Sequence, residues 1–110
     1  MSAVISTIVV NYNSGQWLRR CIDSLLNCPL EIEIVVVDNA STDGSLDSLI
    51  DLPGVQIIRN SDNRGFAVAC NQGARTATAP YLLFLNPDCY FEPVALSRLL
   101  EVMYEDPLVG

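Results

Sequence analysis

The sequence predicts an α/β fold: a Rossmann-like, doubly wound and mostly parallel sheet. Three observations predict it. β-branched apolar runs alternate with segments of helical period, giving the order β-α-β-α-β-α-β-α. The runs are continuously apolar, as strands buried on both faces require. The connections are short, which suits right-handed crossovers between neighbouring parallel strands.

The first strand is read in "VISTIVVNYN" and ends near Asn11. In "SGQWLRRCIDSLLNCP" an apolar face forms at helical spacing from Trp17, Leu18, Cys21, Ile22, Leu25 and Leu26. Asn13 or Ser14 is the expected cap, and Pro29 the stop. The second strand, "EIEIVVVD", ends at Asp38 and opens into the turn-rich "NASTDGS". A short helix is expected next, with Leu46, Leu49 and Ile50 on one face, closed by Pro53-Gly54.

The third strand is Val55 to Asn60. After "SDNR" a helix begins at Gly65, faced with Ala67, Ala69, Cys70, Gly73 and Ala74, whose small size permits close packing on the sheet. "YLLFL" is the fourth strand, ending at Asn86, and a last helix is expected from about Pro93 to Tyr104. "EDPLVG" reads as the beginning of another strand, so the chain is expected to be part of a longer protein.

Composition narrows the function. The net charge is −7, from thirteen acids against six basic residues, all arginine. No basic cluster is present, which excludes an ordinary nucleic-acid surface. Half the residues are hydrophobic, yet no apolar run approaches membrane-spanning length. The N-terminus lacks the basic region of a signal peptide, so the reading is cytoplasmic. Four cysteines without a C-x-x-C pair, and no histidine, make a zinc site improbable, and the cysteines are read as reduced, small hydrophobes.

In a doubly wound sheet, ligands bind beyond the carboxyl ends of the strands. The polar clusters fall there, and each key residue has two readings. Asp38 either caps its turn or accepts hydrogen bonds from a ligand's ring N–H or hydroxyls. Gly65, beside Asn63 and Arg64, either permits an unusual backbone angle or lets a ligand approach the backbone. Asn71, a poor helix former within a helix, either bonds a neighbouring loop or contacts ligand. Asp88 either completes the Asn-Pro-Asp turn or holds a divalent cation, which needs only one or two protein carboxylates beside phosphate and water.

Four segments in register, "STIVVNYNSGQWLRRCIDSL", "EIVVVDNASTDGS", "NSDNRGFAVACNQGA" and "YLLFLNPDCYFEP", resemble the N-terminal, donor-binding half of inverting family 2 glycosyltransferases. The "NPD" form, with "NRGFAVACNQG" upstream, looks most like the bacterial rhamnosyltransferase-like branch, which builds cell-surface polysaccharides. The resemblance implies that Asn11 and Asn13 line the nucleotide pocket. It implies that Asp38 bonds the uracil or thymine ring, with Asn63, Arg64 and Gly65 bordering the base. Asn86 would face ribose or diphosphate, and Asp88 would bind Mg²⁺ or Mn²⁺. Asn86 stands where an Asp-x-Asp motif has its first acid, which leaves one carboxylate for the metal.

The implied partners are a UDP- or dTDP-linked sugar and a saccharide or lipid-linked acceptor. The implied location extends to peripheral contact of the whole protein with the inner face of the plasma membrane. No catalytic base is assignable, so residues 1–110 are expected to bind donor without turning over. A dehydrogenase module would need G-x-G-x-x-G after the first strand, where "VNYNSGQW" has one glycine. A non-catalytic scaffold domain of the same fold is the other alternative.

Overall fold

The computed structural model describes residues 3–106 and 108. Four strands form one parallel sheet: β1 (Ile5–Asn11), β2 (Ile32–Asp38), β3 (Val55–Arg59) and β4 (Tyr81–Leu85). Their spatial order is β3-β2-β1-β4. Helix α1 (Gln16–Leu26) links β1 to β2, α2 (Phe66–Thr76) links β3 to β4, and α3 (Ala95–Glu105) follows β4. The chain therefore winds outward from β1 to β3, then crosses back to β4, and the winding reverses between β1 and β4.

Alternation along each strand divides the core. Val9, Ile34, Val36 and Leu85 pack with Leu18, Cys21, Ile22 and Leu25 of α1, with Leu49, and with Leu96 of α3. Ile8, Val10, Val35 and Val37 point to the opposite face, under Ala69 and Cys70 of α2. Both faces of β1 and β2 are covered, which is why their sequences are apolar without a break. Burial of such side chains is worth about 1.5–3 kcal/mol each.

The small-residue face of α2 has a definite purpose at Gly73. A Cβ there would lie 2.5 Å from Ile8 Cγ2 and 3.2 Å from Val37 Cγ2. Glycine is what lets the helix sit directly on β1 and β2. Ala67 belongs to the outer side of the helix instead and is exposed.

Several boundaries differ from the sequence expectation. Gly15, with φ 55°, occupies the cap of α1, and no side chain caps it. Asn13 and Ser14 precede that position. Trp17 is 47% exposed and lies outside the core, because the register that buries Leu18, Cys21 and Leu25 turns it outward. Leu26 is exposed for the same reason. Between β2 and β3 only one 3-10 turn forms, Asp47–Leu49. Leu46 and Leu49 reach the core while Ile50 does not. The last helix starts at Ala95, two residues after Pro93. Of the strand expected in "EDPLVG", Pro107, Val109 and Gly110 lie outside the described residues.

Candidate functional site at the carboxyl edge of the sheet

Parallel pairing in register sets Asn11 directly beside Asp38, and Asp38 beside Arg59. The polar ends of three strands thus stand in one row. What they do there differs from residue to residue.

Asn11 is fully buried. Rather than lining an open pocket, it works from beneath: Nδ2 donates to Asp38 Oδ1 at 2.8 Å and to Ser45 Oγ at 2.9 Å. Asn11 Oδ1 has no partner. Asp38, only 3% exposed, also accepts from the Ser41 hydroxyl on Oδ1 and from the Ser41 amide on Oδ2. Three of its roughly four acceptor positions therefore hold the chain in place. One position on Oδ2 has no partner among the described residues. The turn reading of Asp38 is what the hydrogen bonds show, and it does not exhaust the carboxylate.

The loop so held is strained. Ala40 has φ 64°, a left-handed conformation that costs a non-glycine residue about 1–2 kcal/mol. Asn39 and Ser41, both anchored, fix it on either side. The same loop is latched to the one after β1. Asn13 Oδ1 accepts from the Thr42 amide, its own amide donates to Ser41 Oγ, and the Gly15 amide donates to Asp43 Oδ2. Hydrogen bonds from the Ser45 hydroxyl and amide, then from Gly15, hold the Asp43 carboxyl below its ordinary pKa.

After β3 an amide ladder takes over. Asn60 Nδ2 donates to Asn39 Oδ1 and to Gln72 Oε1, while Gln72 Nε2 donates back to Asn60 Oδ1. Asn39 Nδ2 reaches the Gly65 carbonyl at 3.2 Å. Gly65 has φ 83° and ψ 168°, a region essentially reserved for glycine. Its amide is held by Asn63 Oδ1, and nothing crowds the space where a Cβ would be. The backbone angle alone demands glycine here. Arg64 lies at the surface, its guanidinium on Asp62. Asn71 is exposed on α2, and the loop contact considered for it is made by its neighbour Gln72.

The sequence reading missed Asn39, Ser41, Ser45, Asn60 and Gln72 as individual residues. A signal existed for Asn39 and Asn60, since each is an amide placed one step beyond an apolar strand next to its partner strand. Gln72 carried none, because its role depends on the angle at which α2 crosses the sheet.

At the β4 end the arrangement is simpler. The turn after Leu85 is closed by the backbone, the Cys89 amide donating to the Asn86 carbonyl at 3.1 Å. Among the described residues, no hydrogen bond or ion pair engages the Asp88 carboxylate, and Asp88 is exposed. The turn therefore does not use that side chain. Ser14, Trp17, Asn86, Pro87 and Asp88 line a pocket of about 320 Å³. It lies where the winding reverses between β1 and β4, the position at which doubly wound sheets bind ligands. Nearby, burial first, then Cys89 and Asp88, push the Cys21 thiol up to about 12.

No group of three or more metal-ligating His, Cys, Asp or Glu side chains exists among the described residues. The available donor set is the Asp88 carboxylate with the Asn86 amide oxygen beside it. Hard oxygen donors in such small number fit Mg²⁺ or Mn²⁺ completed by phosphate and water.

A family model for glycosyl transferase family 2 matches residues 6–110. The chain belongs to that family. An uncharacterized glycosyltransferase from Nostoc sp. is 37% identical over 112 residues, covering 96% of this chain and 34% of that protein. The chondroitin synthase of Pasteurella multocida is 31% identical over 108 residues, 94% of this chain and 11% of that protein. Among solved structures, the mannosyltransferase PcManGT from Pyrobaculum calidifontis, in complex with GDP-Man and Mn²⁺, superposes with a TM-score of 0.89. It is 25% identical, and the match covers 100% of this chain and 34% of that one. S. aureus TarS gives 0.83 at 26% identity, covering 92% of this chain and 32% of that one. This family 2 chain thus spans about a third of the length of the Nostoc relative. The α/β fold expected from alternation is the fold of these neighbours. No helix among the described residues is long and apolar enough to cross a membrane.

Proposed function

We propose that this chain binds the donor for a glycosyltransferase that moves a sugar, with inversion, from a UDP- or dTDP-linked donor to a saccharide or lipid-linked acceptor. We further propose that the donor sugar is rhamnose and that the product is a cell-surface polysaccharide, made at the cytoplasmic face of the membrane. The observation that carries the reading is the Asp88 carboxylate, exposed and unengaged at the tip of β4, facing a pocket at the switch point. A turn residue spared from its own turn is available for a ligand.

The roles divide by element. Asp38 retains one acceptor position for a ring N–H, and Asn11 and Ser41 fix its orientation. The Asn39-Asn60-Gln72 ladder sets the Asn63-Arg64-Gly65 loop at the base edge. Asp88, with Asn86, would hold a divalent cation. When bound, that cation would supply compensation for the charge of the diphosphate leaving group. Deprotonation of the acceptor hydroxyl needs a base, and no residue among the 110 takes that role in this reading.

Calorimetric titration with UDP, dTDP and GDP, each with and without Mn²⁺, tests the proposal. Binding of UDP or dTDP that strengthens with Mn²⁺ is expected. Asp88→Ala should abolish the difference between the two titrations. Its unfolding should stay cooperative, since an exposed side chain without partners contributes no more than about 0.5 kcal/mol. A folded chain that binds none of the three nucleotides would support the non-catalytic scaffold instead. Unfolding of Asp88→Ala with no separate effect on binding would return Asp88 to the turn.

A further inference from the structure

We propose that the groove between α1 and Tyr90 is a saccharide subsite, which holds a sugar unit of the acceptor next to the donor pocket. The inference rests on the glycosyltransferase reading above.

The groove encloses about 510 Å³, within the range of small-ligand sites. Trp17, Arg20, Ser24 and Asn27 form one stripe along α1, at helical spacing of three and four residues. Trp17 and Tyr90 are 47% and 51% exposed. Between them lies the Arg20 guanidinium, 5.5 Å from the Trp17 ring centre and 4.7 Å from that of Tyr90. Such stacking fixes the plane of the guanidinium while leaving its edge donors available. Arg20 has no ion-pair partner among the described residues, although the chain carries a net charge of −7. Its neighbour Arg19, by contrast, is spent on Asp23 and on the Ser48 carbonyl.

The site is also held together from below. Ser24 Oγ donates to the Cys21 carbonyl and accepts the Phe91 amide, which ties the segment after β4 to α1. Tyr90 is thereby kept against Arg20 without using either side chain's outer surface.

The chemistry fits a pyranose. A sugar ring offers an apolar C–H face and a rim of hydroxyls. Exposed aromatic surface takes the face, while the guanidinium fork and the Asn27 amide take the rim. An apolar peptide would leave the arginine unused, and a polyphosphate would meet Asp23 at the groove wall. Position supports the assignment. Trp17 lines both this groove and the pocket that contains Asp88, so a sugar here borders the donor pocket.

Trp17 is the sole tryptophan and reports on the groove directly. Its emission should shift saturably on titration with methyl α-L-rhamnopyranoside, N,N′-diacetylchitobiose or glucuronic acid. The strongest of the three indicates whether Arg20 meets hydroxyls or a carboxylate. Arg20→Gln and Tyr90→Ala should each weaken that response by about tenfold or more. UDP affinity, read by calorimetry in the same variants, should change by less than about twofold, because neither residue touches the Asp88 pocket. No response to any of the three sugars overturns the proposal, as does a response that both variants leave intact. A saccharide response with no binding of either UDP or dTDP would overturn the donor reading and leave the subsite standing.

Discussion

Replacing Gly73 with alanine tests the packing that carries α2 across the sheet. An alanine Cβ would sit 2.5 Å from Ile8 Cγ2, 3.0 Å from Ile8 Cγ1 and 3.2 Å from Val37 Cγ2. The first distance is roughly 1 Å inside ordinary carbon contact. Ile8 and Val37 are fully buried β-branched residues with stiff χ1, so neither can swing aside. Overpacking of this kind costs about 1–3 kcal/mol. Alanine also returns about 1 kcal/mol of helix propensity, which offsets part of the loss. A contact as short as 2.5 Å puts the overpacking cost at the upper end of that range, so the net expectation is a destabilisation of about 1–2 kcal/mol, or a fall in Tm of roughly 4–8 °C for a domain of this size. Urea and thermal unfolding followed by circular dichroism measure it. Ala67→Gly, at an exposed position of the same helix, should lose about 1 kcal/mol from propensity alone and serves as the control. An unchanged or raised Tm in Gly73→Ala would refute the claim that α2 is seated on Ile8 by the missing side chain.

Two further predictions concern pH and have opposite signs. Burial raises the Glu33 pKa, but hydrogen bonds from the Ser6 hydroxyl and from the Thr78 amide and hydroxyl outweigh it, leaving the carboxyl below its ordinary 4.5. A depressed folded pKa means that the stabilisation is complete above the unfolded value and is lost as pH falls through the folded one. The stability difference between wild type and Glu33→Gln should therefore begin to shrink as pH falls past 4.5 and vanish below the folded pKa, and a difference that does not shrink on acidification would contradict the assignment. Asn11→Asp sets a second buried carboxylate against Asp38, where Asn11 now donates at 2.8 Å. Like charge and burial raise the folded pKa of the new pair, so about 3–5 kcal/mol should be lost at neutral pH and recovered as pH falls. A variant as stable as wild type at pH 7 would show that the Asn11–Asp38 bond does not hold the loop.

Alternation of apolar runs, read from residue types alone, was enough for the strands and their parallel sheet. Burial on both faces leaves a continuous apolar signature that does not depend on neighbours far along the chain. The helix faces were less legible. Trp17 and Ile50 match the helical period yet lie outside the core, since periodicity gives spacing but not which side of a broad stripe meets the sheet. The candidate site divides in the same way. Asn11, Asp38 and Asp88 stood out as polar ends of apolar strands, a local property of the chain. That Asn11 works beneath the surface, that Gln72 rather than Asn71 meets Asn60, and that Asp88 is spared by its own turn are facts of side-chain direction. Those directions follow from strand register and helix crossing angle. They arise only when segments far apart in sequence pack together, which is why tertiary structure decided them.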